Sequence, residues 1–243
     1  MAGRPAARVF RLQAALNRYM SEDFLGGPRV LKLAWVVNFQ KGGTAPFVLA
    51  LMAAYGNWSA EAFTYLALHG SYGVLWLVKD LVFPDPNWQK KVTFGGAFNA
   101  FALVLGPYWS MPFLLVSGVL GPRPPASPAL LGAAVALHTL GVALMFGADA
   151  QKYFTLAHAR GLITTGFFAR IRHPNYLGEM MLYGAYALLV RHGIAWAILG
   201  WVWLQVFLPN MKNKEASMSR YPEWDAYTAR TGMLLPRLFV RAQ

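Results

Sequence analysis

The sequence predicts an all-α fold: a polytopic integral membrane bundle of five to seven transmembrane helices. Three observations carry that prediction. The 243 residues are 56% hydrophobic and only 13% charged, about half the charge of an ordinary soluble domain. Apolar stretches at 30–55, 60–83, 93–120, 128–148, 177–190 and 193–208 follow one another, and about 20 apolar residues suffice to span a bilayer. Basic residues outnumber acidic ones 22 to 10 and lie in short clusters between those stretches, as the positive-inside bias and anionic headgroups favour.

The same numbers exclude other classes. So apolar a chain does not remain disordered. No nucleic-acid-binding motif accompanies the cations, so nucleic acid is not an expected partner. Without cysteine there is no disulfide scaffold, thiolate metal site or cysteine nucleophile. The scattered acids suggest no metal site, and there is no Walker loop, no HExxH and no GxGxxG after a strand.

Residues 1–29 place Arg4, Arg8 and Arg11 at helical spacing among Val9, Phe10, Leu12 and Leu16, with no acid before Glu22. The pattern reads as a basic amphipathic helix lying on a membrane surface. Residues 30–148 supply the membrane helices of the substrate side. Asn38, Gln40, Lys41, Gly42 and Gly43 interrupt the first stretch, predicting a helix broken where it lines a cavity. On the second, His69, Tyr72, Trp76 and Asp80 recur at spacings of three and four and therefore share one face. That stripe admits two readings: a substrate cavity with Tyr72 or His69 as proton donor, or His69 and Tyr72 satisfying each other while Lys79 and Asp80 cap the helix. In the third, Gly106-Pro107 predicts a kink or break. The run Gly-Pro-Arg-Pro-Pro-Ala-Ser-Pro at 121–128 is a loop. His138 is a lone polar residue on an apolar helix and reads as a packed core histidine. Trp58, Trp88, Trp109 and Trp224 near segment ends read as interfacial anchors. The last two stretches meet at Arg191-His192-Gly193 as a helical hairpin. A hairpin returns to the side it left, so the basic clusters before it (Lys152, Arg160, Arg170, Arg172) and after it (Lys212, Lys214, Arg220, Arg230) share one face, predicted to be cytosolic. Region 149–243, ending in a short amphipathic tail, would then form a cofactor mouth.

The densest polar cluster is Arg170-Ile171-Arg172-His173-Pro174-Asn175-Tyr176-Leu177-Gly178-Glu179. Pro174 suits the first turn of a helix, whose free amides could join the two arginines and His173 in an anion site. Glu179 enters the membrane segment, where an ionisable residue is a functional candidate. A basic helix cap at the headgroups, with Glu179 paired to an arginine, explains the same residues.

Gly161-Leu162-Ile163, Gly166-Phe167-Phe168 and the run Arg172 to Glu179 resemble a signature of two families. These are the membrane steroid and sterol reductases (steroid 5-alpha-reductase C-terminal-like, DUF1295-type) and the isoprenylcysteine and phospholipid methyltransferases. The tail Glu215, Arg220-Tyr221-Pro222-Glu223-Trp224-Asp225-Ala226-Tyr227 and Leu235-Pro236 is similar to the tail both share, so the resemblance covers about residues 145–238. Asn175-Tyr176-Leu177-Gly178-Glu179 resembles the NADPH stretch of the reductases. The methyltransferases usually lack that Asn and the following acid, and carry two tail glutamates where this chain has Lys214-Glu215. Asp149-Ala150-Gln151-Lys152-Tyr153-Phe154 is similar to a bacterial and algal subgroup grouped with the reductases.

The resemblance implies a membrane oxidoreductase that uses NADPH to reduce a carbon–carbon double bond of a hydrophobic lipid such as a steroid, sterol or other enone. The alternative is an S-adenosylmethionine-dependent methyltransferase acting on a prenylated or phospholipid acceptor. Lys152, Arg170, Arg172, His173, Asn175, Tyr176, Glu179, Lys214, Glu215 and Tyr227 are the implied cofactor-binding residues, with Arg160 and Lys212 as further candidates for its phosphates. The Gln-Glu pair of the steroid reductases is absent here. The protein is expected in the endoplasmic reticulum membrane if eukaryotic, or the inner membrane if bacterial.

Overall fold

A computed structural model describes residues 4–237. The side chains of 4–8, Arg4 and Arg8 among them, lie outside the described residues. The fold is helical, with one two-stranded ribbon. The elements are α1 (Arg4–Glu22), β1 (Leu31–Lys32), α2 (Leu33–Tyr55), α3 (Ala60–Val82), β2 (Lys91–Val92), α4 (Phe94–Ala100), α5 (Ser110–Val116), α6 (Pro128–His158), α7 (Pro174–Val190), α8 (Gly193–Val202), α9 (Leu208–Met218) and α10 (Trp224–Arg230).

Local chemistry sets the boundaries. Ser59 and Ser127 accept hydrogen bonds from Ala62 and Leu130 amides at the starts of α3 and α6, each cap worth about 1 kcal/mol. Pro128 and Pro174 occupy first turns, where a missing N–H costs nothing. Gly56 ends α2 in the left-handed conformation, which glycine adopts without strain.

Among the described residues, three helical stretches are long and apolar enough to cross a membrane: Phe94–Val116, Pro128–His158 and Gly193–Met218. The helices α2 and α3 are also long, 23 residues each, but their interiors carry Asn38, Gln40, Lys41, His69, Lys79 and Asp80. The bundle is apolar outside and polar within: Phe39, Val74, Leu140 and Leu204 are 61–62% exposed, while Gln40, Lys41, His69, Tyr72 and Lys79 are buried.

Three expectations change. The helix α2 is not broken at Asn38–Gly43 but runs unbroken through them and through Pro46. Its polar side chains turn inward and find partners: Asn38 donates to Asp80 at 2.7 Å, Thr44 to the Gln40 carbonyl at 2.6 Å, and Lys41 to Tyr183. The interruption expected at Gly106-Pro107 takes a definite form: a π turn at Phe101–Leu105 and a 3-10 turn at Gly106–Trp109 absorb the lost amide before the chain continues into α5, the usual use of such turns. The last membrane stretch does not stop at 208, because a second π turn at Trp203–Phe207 carries α8 straight into α9. The helix α6 likewise runs past the apolar stretch read at 128–148 to His158, so Asp149 and Lys152 sit on its last turns.

The amphipathic reading of α1 has an unexpected orientation. Its polar Gln13 and Asn17 face the protein, bonding Gln205 at 2.8 and 2.5 Å, and Leu12 and Leu16 point outward at 63% and 58% exposure. An outward apolar stripe suits an interfacial helix.

Close backbone approach sets the main crossing, between α6 and α7. A Cβ built on Gly141 would meet the Gly178 carbonyl and the Leu182 amide at 2.7 Å, and one on Gly178 would meet the Gly141 carbonyl and Met145 amide at 2.5 Å. Small residues at such a crossing let helices pack where no hydrophobic driving force separates them from lipid. Gly178→Ala and Gly141→Ala are each expected to cost about 1–3 kcal/mol by overpacking. Gly132→Ala, on the open side of α6 with nothing within 4 Å, should be neutral or stabilising by up to about 1 kcal/mol. Thermal unfolding in detergent checks this, and equal behaviour of the three variants would refute the crossing.

Candidate functional site

The residues of interest form a column between α2, α3, α6 and α7. At its polar end Lys79 donates to Asp149 at 2.5 Å, and Lys152 stands 3.5 Å from Asp85 and 3.6 Å from Asp149. Lys79 and Asp149 are almost fully buried, so removing either would strand a charge at about 3–5 kcal/mol. These four residues line a cavity of about 260 Å³ with Phe83, Pro84, Pro86, Tyr153, Leu156 and Ala157. Burial opposes ionisation of Asp85, but Lys152 and the Asn87 amide outweigh it and hold the carboxyl below its usual range. The cavity therefore carries two cations against two anions.

Beside it, Lys214 donates to the Tyr176 hydroxyl at 3.2 Å and lies 4.7 Å from its ring centre. Glu179, one turn along α7, lies within the electrostatic reach of Lys79, Lys41, Asp149 and Lys214. Asn175 is half-buried in the first turn of α7, and Arg170 is exposed.

Deeper, the column becomes aromatic. The Lys41 ammonium lies 4.9 Å from the ring centres of Tyr72 and Tyr183, 5.2 Å from Trp76 and 5.6 Å from Tyr108. It donates to the Tyr183 hydroxyl and forms no ion pair among the described residues. Each desolvated cation–π contact is worth up to about 2 kcal/mol, so the four rings offset part of the several kcal/mol of burying an ammonium. Lys79 lies 4.5 Å from the same Trp76 ring, so this indole touches both lysines. The two readings of the α3 stripe resolve into a third arrangement. His69 bonds Tyr65 rather than Tyr72, at 3.0 Å, and stacks on Tyr186 at 4.2 Å. His69 Nε2 is buried without a hydrogen-bond partner, and the buried Tyr72 hydroxyl lies beside that of Tyr183. Asp80 does not cap α3 but accepts from Asn38 and from Gln89 at 2.8 Å. His138 is a core histidine, 3.1 Å from the Tyr186 hydroxyl.

The rest of the predicted set stitches the tail to α7. Arg172 donates to Glu215 at 2.7 Å and to the Thr231 carbonyl at 2.6 Å. Lys212 donates to Glu215 at 3.2 Å, His173 Nε2 lies 3.6 Å from it, and Tyr227 donates to the Phe168 carbonyl at 2.8 Å. Arg172 and His173 amides bond the Gly232 and Met233 carbonyls. Arg172, His173, Glu215 and Tyr227 thus face one another, whereas Lys152, Tyr176, Glu179 and Lys214 face the cavity and the column. Sequence reasoning passed over Tyr183, Tyr108 and Asp85 as site residues. A usable signal existed: Tyr176, Glu179, Tyr183 and Tyr186 repeat at three, four and three, one face of α7.

Two predictions follow from the tail clamp. Arg172→Ala is expected to cost about 2–3 kcal/mol, less than the 3–5 of a fully buried pair; with Glu215→Gln added, the cost should be well below the sum of the two single variants. Additive costs in thermal unfolding would refute the coupling. Burial holds the His173 pKa below its ordinary value, with Glu215 pulling the other way. A folded pKa below the unfolded one, about 6.5, gives stability that is full above that value and is lost as pH falls toward the folded one. The unfolding temperature of the wild type relative to His173→Gln should therefore drop between about pH 8 and about pH 5.5. A constant difference would show that His173 does not titrate on unfolding.

Comparison with known proteins gives family rather than activity. An uncharacterized protein of Schizosaccharomyces pombe is 31% identical over 93 residues, 36% of this chain and 27% of that protein. A second uncharacterized protein of the same yeast is 35% identical over 63 residues, 24% of this chain and 23% of its own length. The matched region thus spans about a quarter of the length of each relative. The sequence profile of a family described as "Protein of unknown function (DUF1295)" matches residues 9–231, which takes in the N-terminal helices as well as the signature, and the chain belongs to that family.

Proposed function

We propose that this protein is a multi-pass membrane oxidoreductase that uses NADPH to reduce a carbon–carbon double bond of a hydrophobic, enone-type lipid, steroids and sterols included. One observation carries the reading: a charged cavity lined by Lys79, Asp85, Asp149 and Lys152 adjoins, through Trp76, the buried aromatic cluster around Lys41 and Tyr72. A water-soluble cofactor needs such a polar opening, and a lipid an apolar, aromatic neighbourhood beside it. The basic clusters around α6, α7 and α9 support a cofactor opening on the cytosolic face.

The residues fit one end of the dinucleotide. A cavity of about 260 Å³ is smaller than the ~300–1,000 Å³ of sites that enclose a whole ligand. Its balanced charges suit the nicotinamide and ribose, with Asn175 and Glu179 able to bond the carboxamide and hydroxyls. Lys214, Lys212 and exposed Arg170 would take the phosphates at the rim. Bound NADPH supplies the hydride; the protein binds, orients, excludes water and provides a proton. The buried Tyr72 hydroxyl and the unpartnered His69 Nε2 are the groups that would hold that proton near a substrate.

One observation favours a second reading. Two cations balanced by two anions also suit the zwitterionic end of S-adenosylmethionine, and a methyltransferase would need chiefly to position the methyl for in-line attack. Thermal shift of detergent-purified protein separates the two. NADPH is expected to stabilise, by about 2.7 kcal/mol at a hundredfold excess over Kd. Lys152→Ala and Asn175→Ala should weaken that response roughly tenfold, the loss of one charge-assisted contact. Stabilisation by S-adenosylmethionine alone would overturn the oxidoreductase and establish the methyltransferase.

A further inference from the structure

We infer that Lys32 and Lys91, paired across the β1–β2 ribbon, form a site for the phosphate of an anionic phospholipid whose acyl chains lie along α2 and α4. The site shares no residue with the charged cavity and stands independently of the oxidoreductase reading.

Each strand of the ribbon is two residues long, with Leu31 opposite Val92 and Lys32 opposite Lys91. Successive strand residues point to opposite faces, so Leu31 and Val92 pack inward while both lysines are exposed. Directly opposite residues hold their Cβ atoms about 5 Å apart, and like charges so placed repel. A ribbon this short is marginal on its own, so the repulsion calls for a shared counter-ion. The chain supplies none. Arg29 is held by Asp23 at 2.6 Å and Lys90 by Glu22 at 3.5 Å, whereas Lys32 and Lys91 have no ion pair among the described residues. The first amides of α2, Leu33 and Ala34, already donate to the Lys90 and Trp88 carbonyls. Recognition therefore falls to the two ammonium groups, and one phosphate can accept from both.

The surroundings assign that phosphate to a lipid. Phe94–Val116 is long and apolar enough to cross a membrane, and Lys91 precedes it by three residues, where a crossing helix leaves the hydrocarbon for the headgroups. Trp35 and Phe39 follow at one-turn spacing on α2, and Phe94 and Phe98 on α4, all four 57–72% exposed. Phe39 lies 6.0 Å from Phe101, just beyond α4, which joins the two rows into one apolar surface. Aromatic rings favour the membrane interface, and acyl chains fit along such rows. A choline headgroup would set its own cation against Lys32, Lys91 and the neighbouring Arg29 and Lys90. An uncharged glycerol headgroup leaves the phosphate's negative charge uncancelled, so the site selects for a net anionic phospholipid.

The test titrates the full chain in detergent with dioleoylphosphatidylglycerol or dioleoylphosphatidylcholine and counts bound lipid by native mass spectrometry. Inorganic phosphate is added as a competitor at constant ionic strength. The wild type is expected to bind its first phosphatidylglycerol roughly tenfold more tightly than phosphatidylcholine, as for charge-assisted hydrogen bonds gained. Lys32→Gln with Lys91→Gln should abolish that preference, each single variant should lose part of it, and Lys91→Arg should keep it. Removing the lysines relieves a repulsion, so the double variant is expected to fold with unchanged or raised unfolding temperature in lipid-free detergent. Arg18→Gln with Arg220→Gln removes the same charge from exposed positions elsewhere and should leave the preference intact. A wild type without the preference, or equal loss in the two double variants, overturns the site and leaves only diffuse attraction to a basic surface. Displacement by inorganic phosphate at a concentration comparable to the lipid overturns the lipid assignment in favour of a free phosphate.

Discussion

An ion placed inside an apolar bundle must be paired, caged or removed, and the arrangement of this protein depends on how three lysines meet that requirement. Lys79 is paired with Asp149, across from α3 to α6. Lys214 reaches from α9 to the hydroxyl and ring of Tyr176 on α7. Lys41 reaches from α2 to the Tyr183 hydroxyl on α7 and sits among four rings from α3, α7 and the 3-10 turn before α5. Each solution ties together helices remote in sequence, so the polar interior fixes the helix arrangement as strongly as apolar packing does. The aromatic residues are fully buried tyrosines rather than phenylalanines at 65, 72, 183 and 186, which leaves hydroxyls available wherever the column needs a polar contact.

Such an interior demands close backbones. Gly73 stands directly against the Lys41 carbonyl, and Gly141 against Gly178, bringing α2 to α3 and α6 to α7 at distances that side chains would forbid. The π turns at Phe101–Leu105 and Trp203–Phe207 join the flanking helices without breaking them. Gln205, within the second π turn, receives Gln13 and Asn17 of α1, so the turn that joins α8 to α9 also anchors α1.

Helix positions were legible because apolar stretches and loop punctuation are local properties: the Pro-rich loop at 121–128 and the hairpin at Arg191–Gly193 stand where they were read. The continuity of α2 was not legible. Asn38 through Gly43 break a helix in isolation, and only partners 42 and 142 residues away, Asp80 and Tyr183, make the same residues favourable inside one. The stripe His69, Tyr72 and Trp76 was visible from spacing alone. Its pairing was not, because the choice of Tyr65 over Tyr72 by His69 depends on rotamers and on Tyr186 stacking from another helix. The signature was readable as a unit but not as a division of labour.

That division bears on how any activity should be traced. Arg172, His173, Glu215 and Tyr227 contact one another or the backbone of the tail, and Gly178 is a helix-crossing residue. A substitution at any of them perturbs the platform on which the cavity stands, so loss of activity there says little about contact with a cofactor. Lys152 and Asn175 differ. Lys152 makes only long ion pairs at 3.5–3.6 Å, and Asn175 is half-buried in a first turn. Each can be altered with little cost to packing. The signature is then best understood in two parts, a platform whose residues hold one another and the tail, and a smaller set, Lys152 among them, that faces the cavity.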